Sequence, residues 1–177
     1  MLIDDSVEEE REAIAEVTIY TDGACTGNPG PGGYGTYLIY GDHTKDLSGG
    51  YRRTTNNRME LLAVIEGLKA LKDRCDVTLY SDSKYVVDAI NQGWAKRWKS
   101  RGWKRGKNEN ALNPDLWDEL LNQLARHDVE TKWVKGHAGN EGNERADKLA
   151  VAAAHGDDLA LDTGYENSTL APESRLL

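Results

Sequence analysis

Five glycines and two prolines fall between Gly23 and Gly33, and no regular helix passes through such a stretch. The stretch reads as a turn region, and the segments on either side must meet it extended. Upstream, Val17–Thr21 (VTIYT) alternates and is rich in β-branched and aromatic residues, so it predicts a strand. Downstream, Gly35–Tyr40 and Lys45–Arg53 predict two more, separated by Gly41-Asp42. Three strands with short connections make an antiparallel meander. Gly30–Gly35 satisfies the spacing G-x-G-x-x-G, but a dinucleotide site needs a helix next, and TYLIY is strand-like.

From Asn56 the period changes. Leu61, Ile65 and Leu68 form one helical stripe, with Val64 and Leu71 beside it, so a helix with a broad apolar face begins there. Asp76–Ser81 predicts a strand and Ser83–Asn91 a short helix. At Asn113-Pro114-Asp115 an N-cap residue, a proline and an acid succeed one another, predicting a helix to about Arg126. Asp128–Lys135 reads as a strand and Asn143–His155 as an alanine-rich helix. The order βββαβααβα implies a mixed sheet with helices on both faces.

The charge is unevenly placed. The total is -8, yet residues 1–16 carry -6 and residues 156–177 carry -4, leaving +2 for residues 17–155. These ends are expected to be loosely attached acidic tails around one domain spanning 17–155. Within that domain Lys96, Arg97, Lys99, Arg101, Lys104, Arg105 and Lys107 lie in twelve residues without an acid. Trp94, Trp98 and Trp103 interleave with them, and indoles beside cations suit a sugar–phosphate backbone better than a merely solvated face does. No run of about 18 apolar residues is present, which excludes a membrane-spanning helix. The acidic start lacks the pattern of a secretory signal. Cys25 and Cys75 supply neither a disulfide framework nor zinc spacing, so a cytoplasmic setting is expected.

Four acids stand where acids are costly. Asp22 and Asp82 each follow an apolar strand directly, and if those strands are parallel neighbours both carboxylates emerge at one sheet edge. Glu60 shares a helical stripe with Val64, Gly67 and Leu71, and Asp147 shares one with Ala150, Val151 and Ala154. Singly, each has an ordinary explanation. Asp22 and Asp82 could be turn formers or caps, Glu60 a first-turn residue facing the helix dipole, and Asp147 a surface partner of Arg145 or Lys148. Jointly, core-facing carboxylates without cations suit Mg²⁺ or Mn²⁺, and two ions about 3.5–4 Å apart would serve phosphodiester hydrolysis.

Together these strings resemble type 1 ribonuclease H of the bacterial kind. The likeness rests on Thr21-Asp22-Gly23, on Gly27-Asn28-Pro29-Gly30-Pro31-Gly32-Gly33, and on Arg53 through Leu61 (RTTNNRMEL). Asp82-Ser83, Arg101-Gly102-Trp103-Lys104, Val134 through Gly139 (VKGHAG) and Asn143 through Asp147 (NERAD) extend it, with Asp162-Thr163-Gly164-Tyr165 as a weaker continuation. The resemblance implies a ribonuclease H-like fold, a five-stranded mixed sheet with helices on both faces. It also implies a monomeric endonuclease that cuts the RNA strand of RNA–DNA hybrids by a two-metal-ion mechanism, leaving 5′-phosphate and 3′-hydroxyl ends. Asp22, Glu60, Asp82 and Asp147 would hold two Mg²⁺ ions, with Mn²⁺ as a substitute, and His137 would assist proton transfer or product departure.

Asn28, Asn57 and the backbone around Cys25 and Gly27 match positions that contact RNA 2′-hydroxyls, the groups that distinguish RNA from DNA. Arg53, Thr55, Asn56 and Asn113 match positions that grip a DNA-strand phosphate. Trp94 and Trp98 resemble aromatics lining the DNA channel, and Lys96–Lys107 a basic protrusion; Trp103, Trp117 and Trp133 read as core. Asn140-Glu141-Gly142 departs from the family's usual segment. Two rival readings stay open: a binding module, which would be free to lose the acids, and a transposase- or resolvase-like nuclease, which would not need the hybrid-binding matches. Asp162-Thr163-Gly164 is also the string of an aspartic-protease loop, but one copy in an acidic tail lacks the second acid and the core strand.

Overall fold

A computed structural model describes residues 14–168. Its first strand, β1 (Ala15–Cys25), runs four residues beyond Thr21, so Asp22 lies within it. The second, β2 (Gly30–Tyr40), begins inside the glycine–proline stretch, and β3 (His43–Thr54) returns antiparallel to it. The predicted turn over Gly23–Gly33 is thus mostly strand, with only residues 26–29 left to turn. The physical reason is space. A Cβ at Gly33 would lie 2.5 Å from the carbonyl oxygen of Ala150, and one at Gly35 closer still to that of Ala146. Glycine serves here as a flat surface for a helix to lie on, and α5 (Glu141–Ala154) lies on it through its small residues.

The helix α1 (Asn56–Lys69) covers the other face. Thr55 caps it by accepting the Arg58 N–H at 3.3 Å, and its buried side chains include Met59, Leu61, Val64, Ile65 and Leu68. Thr36 donates its hydroxyl to the Ala63 carbonyl at 2.7 Å, while its neighbour Gly35 meets α5; successive strand residues face opposite ways, so the two helices flank the sheet. The strand β4 (Cys75–Ser81) and the strand β5 (Asp128–Trp133) complete a sheet ordered β3-β2-β1-β4-β5, in which β1, β4 and β5 run parallel. The five-stranded mixed sheet and its flanking helices are as expected.

Ser83 caps α2 (Lys84–Asn91), and its hydroxyl accepts the Val86 N–H. The Trp-rich segment, to which no element was assigned, opens with a helix, α3 (Trp94–Ser100). Trp98 anchors it inward against Trp117 of α4 (Pro114–Ala125), ring to ring edge-on at 5.9 Å. Asn113 precedes α4 with φ 58° and makes no side-chain cap, so it marks the helix start without the capping bond expected of it. Asn140 does cap α5, accepting the Asn143 N–H at 3.0 Å, so that helix starts two residues before the predicted Asn143.

The expected loose C-terminal tail is corrected as far as residue 168. Ala160 exchanges backbone hydrogen bonds with β3, donating to Gly50 and accepting from Arg52, each at 2.9 Å. A last short helix, α6 (Thr163–Ser168), follows. Burial of Asp162, 7% exposed, on an arginine explains how so polar a segment docks. The other tail residues, 1–13 and 169–177, lie outside the described ones, and Ala15 and Glu16 belong to β1. Among the described residues no helix is long and apolar enough to cross a membrane.

Candidate active site

The parallel register that sets Thr21 beside Ser81 makes Asp22 and Asp82 neighbours at the carboxyl end of β1 and β4. Glu60 reaches them from α1, whose second turn sits directly on the strand end: a Cβ at Gly23 would lie 2.5 Å from the Glu60 backbone nitrogen. Ligand-capable oxygens of Asp22, Glu60 and Asp82 lie within 4.8 Å of one another. Asp147, on α5, comes close enough to Asp22 for a side-chain interaction that raises the Asp22 pKa.

The ordinary explanations for these acids fail on geometry. Ser83, not Asp82, caps α2, and Glu60 lies beyond the first turn of α1. Arg145 pairs with Asp46 rather than with Asp147. Among the described residues no lysine or arginine forms an ion pair with any of the four.

Asp22 and Glu60 are buried, at 5% and 4% exposure, and Glu60 Oε2 has no hydrogen-bond partner. Asp22 Oδ1 accepts the Gly23 N–H at 2.8 Å. Burial first, then the Asp82 charge, pushes the Asp22 carboxyl up to about 7. Glu60 is raised well above its ordinary value by burial and by the charges of Asp22 and Asp82. Like charges gathered in a dry site, with one oxygen unpartnered, fit a divalent cation with hard oxygen preferences.

The loop after β5 passes over this cluster. A Cβ at Gly136 would be 2.7 Å from Asp82 Oδ2, so the chain crosses there without a side chain. His137 follows, exposed and with φ 57°. Trp133 is a correction to the expected core role. It is 44% exposed, donates its indole N–H to the Asp82 carbonyl at 3.0 Å, and carries the Lys84 ammonium 4.7 Å over its ring.

A groove of about 890 Å³ is lined by Asn28, Thr55, Asn57, Trp103, Asn113 and Tyr165, and so reaches the start of α1, the helix that carries Glu60. Asn28 accepts the Asn56 N–H at 3.0 Å and so ties the β1–β2 turn to the start of α1. The backbone at Gly27 has φ 70°, and the Cys25 thiol donates toward the Gly30 and Thr54 carbonyls. Burial raises that thiol's pKa. Arg53 stands exposed near the end of β3, outside the groove lining. Trp103 is half-buried, packed against the core as expected and also part of the groove wall, whereas Trp117 is fully buried as expected.

The cations of the Lys96–Lys107 arm are all exposed. Lys99 pairs with Asp118 at 2.7 Å, Lys104 donates to Asn110 at 2.9 Å, and Arg97 to the Gln92 carbonyl at 3.0 Å. Among the described residues no ion pair holds Lys96, Arg101, Arg105 or Lys107. Trp94 is half-buried against the core. Trp98 departs from the channel-wall expectation, because at 9% exposure it stacks on Tyr85, meets Trp117 edge-on and anchors the arm instead.

Sequence reasoning missed the cluster around Arg58. Its side chain, 4% exposed, donates to Asp115 at 2.7 and 2.9 Å, to Asp162 at 2.8 and 3.0 Å, and to Asn113 Oδ1 at 3.3 Å. A signal was available: Arg58 shares the helical stripe of Leu61, Ile65 and Leu68, and a buried guanidinium needs acids from elsewhere in the chain.

A mixed sheet in this order, helix-flanked and carrying a buried carboxylate cluster at the ends of parallel neighbours, defines a ribonuclease H-like hydrolase. The family model for RNase H matches residues 14–155. A ribonuclease H of Syntrophus aciditrophicus is 65% identical over 150 residues, covering 85% of this chain and 87% of that protein. A ribonuclease H of Rippkaea orientalis is 60% identical over 152 residues, covering 86% and 93%. The crystal structure of LC9-RNase H1, a type 1 RNase H with the type 2 active-site motif, superposes with a TM-score of 0.74 at 36% identity, covering 92% of this chain and 84% of that one. The chain belongs to the type 1, bacterial ribonuclease HI family, and it is an enzyme.

Proposed function

We propose that this enzyme hydrolyses the RNA strand of RNA–DNA hybrids endonucleolytically, leaving 5′-phosphate and 3′-hydroxyl ends, by a two-metal-ion mechanism. Asp22, Glu60, Asp82 and Asp147 would hold Mg²⁺, with Mn²⁺ able to substitute. The observation that carries the metal assignment is the unpartnered Glu60 oxygen within a cluster of acids that no described lysine or arginine pairs with. When bound, such ions activate water and stabilise the leaving oxygen. The hybrid substrate is supported by the two relatives named ribonuclease H at 65% and 60% identity.

The bond changes set the demands on the side chains. The water oxygen gives up one proton and bonds to phosphorus, the bond from phosphorus to the RNA 3′-oxygen breaks, and that oxygen takes up a proton. His137 stands on the loop over Asp82, and the two ring nitrogens of an imidazole can accept and donate a proton. Its role is to carry a proton between site and solvent.

Asn28, Asn57 and the backbone around Cys25 and Gly27 would read RNA 2′-hydroxyls. Asn28 accepts from Asn56 through its oxygen, which leaves its amide N–H groups as donors for RNA. Arg53, Thr55, Asn56 and Asn113 would hold a phosphate of the DNA strand; the Thr55 oxygen already accepts from Arg58 N, so its hydroxyl proton is available to an anion. Trp94 and the arm Lys96–Lys107 would follow the duplex backbone. The enzyme is proposed to act as a cytoplasmic monomer.

End-labelled hybrid, single-stranded RNA, duplex RNA and duplex DNA, each incubated with Mg²⁺, Mn²⁺ or EDTA, tests this reading. Cleavage should be confined to the RNA of the hybrid and abolished by EDTA. Cutting of duplex DNA, or cutting in EDTA, would overturn it.

A further inference from the structure

Besides its backbone bonds to β3, the C-terminal segment is anchored to the rest of the molecule at a buried charge, Asp162. Asp162 accepts from Arg58 through both oxygens, at 2.8 and 3.0 Å, and from the Thr54 hydroxyl at 2.7 Å. Asp115 holds the far edge of the same guanidinium. Two residues beyond Asp162, the chain passes so close that a Cβ at Gly164 would lie 2.6 Å from an Arg58 terminal nitrogen and would overlap the Asp115 carboxylate. Gly164 and Tyr165 then line the same groove as Asn28, Asn57 and Asn113.

Arg58 also sets the orientation of a groove residue. A guanidinium only donates, so the end of the Asn113 carboxamide that faces Arg58 must be its oxygen. The NH₂ end is left as a donor, which is what a phosphate oxygen requires. Asn113 has φ 58° and makes no helix-capping bond, so neither the helix nor a cap decides which way its amide lies. Arg58 does. Thr54, which the same Asp162 oxygen secures, immediately precedes Thr55.

We propose that Asp162 and Gly164 are positioning residues for DNA-strand recognition: they fix Arg58, which turns the Asn113 amide so that its donor end faces the phosphate. The C-terminal segment is then part of the nucleic-acid interface, acting through one arginine, although its own charge is negative. This rests on the reading that Asn113 grips a DNA-strand phosphate.

The test measures hybrid affinity in EDTA with single methylphosphonates replacing successive DNA-strand phosphates. For the unaltered enzyme, one position should cost about ten-fold, the value of one charge-assisted contact. Asp162→Ala and Gly164→Ala should each bind unmodified hybrid about ten-fold more weakly and lose less than about two-fold further at that position, because the contact is already gone. Their kcat at saturating hybrid in Mg²⁺ should stay within about two-fold, with the change appearing in KM. Arg52→Ala removes the pair between β3 and Glu166 of the segment without touching Arg58, and should keep the full position-specific loss. Circular dichroism at the assay temperature shows which variants are folded, and Gly164→Ala, which removes no charge, serves if Asp162→Ala is not. Folded variants that retain the full loss at that position would overturn the positioning role. No sensitive DNA-strand position in the unaltered enzyme would instead overturn the phosphate reading itself.

Discussion

Two buried ionic clusters share the first turns of α1, and they are opposites. Arg58 is surrounded by Asp115, Asp162 and the Asn113 oxygen, so nearly every donor of the guanidinium meets an acceptor inside the chain. Glu60, two residues on, faces Asp22 and Asp82, and one of its oxygens meets nothing. Both clusters carry the desolvation cost of burial. Only the first offsets it internally. The imbalance of the second identifies it as the place where charge must arrive from outside, which neither the number of acids nor their burial could do alone.

The largest expected effect separates the two by activity. Asp22→Asn should reduce cleavage by about a thousand-fold or more while hybrid affinity in EDTA changes only a few-fold, because a ligand is lost and the groove is not. Steady-state kinetics beside equilibrium binding checks this, and substantial residual turnover would refute the metal role of Asp22. The balanced cluster should respond in stability, and in hybrid affinity rather than kcat. Arg58→Ala leaves Asp162 buried without its cation and should cost about 3–5 kcal/mol in urea unfolding. A loss under about 1 kcal/mol would mean that solvent reaches Asp162 freely.

The pH dependences should have opposite signs. Asp22 titrates near 7 when folded and near 3.8 when unfolded, so its contribution is most favourable below the lower value and is lost as pH rises toward 7. Asp115 is lowered, chiefly by its hydrogen bond to Arg58, so its contribution is present above the unfolded value and lost as pH falls below it. In EDTA at pH 7 to 8, Asp22→Asn should therefore be more stable than the unaltered protein by about 1–3 kcal/mol, and the gain should vanish near pH 4. His127, whose pKa burial lowers, pulls the other way in both proteins and cancels in the difference. Saturating Mg²⁺ should remove or reverse the gain.

Exposed charges mark the third, smallest case. Neutralising the seven arm cations should flatten the dependence of log affinity on log salt by up to about 0.9 per lost phosphate contact, with little change in stability. An unchanged slope would make the arm only a solvated face.

The unbalanced cluster was legible in the sequence because its acids interrupt apolar periods: Asp22 and Asp82 at strand ends, Glu60 and Asp147 on core stripes. The balanced one was not, because Arg58, Asp115 and Asp162 lie 104 residues apart at their extremes and each looks ordinary in its own neighbourhood. The helix Trp94–Ser100 escaped notice for a related reason. Its cations carry no apolar period, and what holds it is the distant Trp117 ring. The strand character of Gly30–Gly33 was hidden because glycine signals a turn locally, whereas here Gly33 answers to a helix more than a hundred residues downstream. In each case local residue preference gave way to tertiary contact.

That glycine surface governs more than the packing of one helix. Where two elements meet through long side chains, a substitution can be absorbed by rotamer changes. Where α5 rides on β2 backbone against backbone, there is no slack, and the placement of Asp147 has the tolerance of covalent geometry. Gly33 and Gly35 therefore act as a gauge block for the fourth carboxylate. A single methyl group added there would change the distance between two halves of the active site, since Gly35 stands directly across the sheet from Asp22 while its other neighbour is the α5 backbone, so these positions should be counted among those that tune the enzyme.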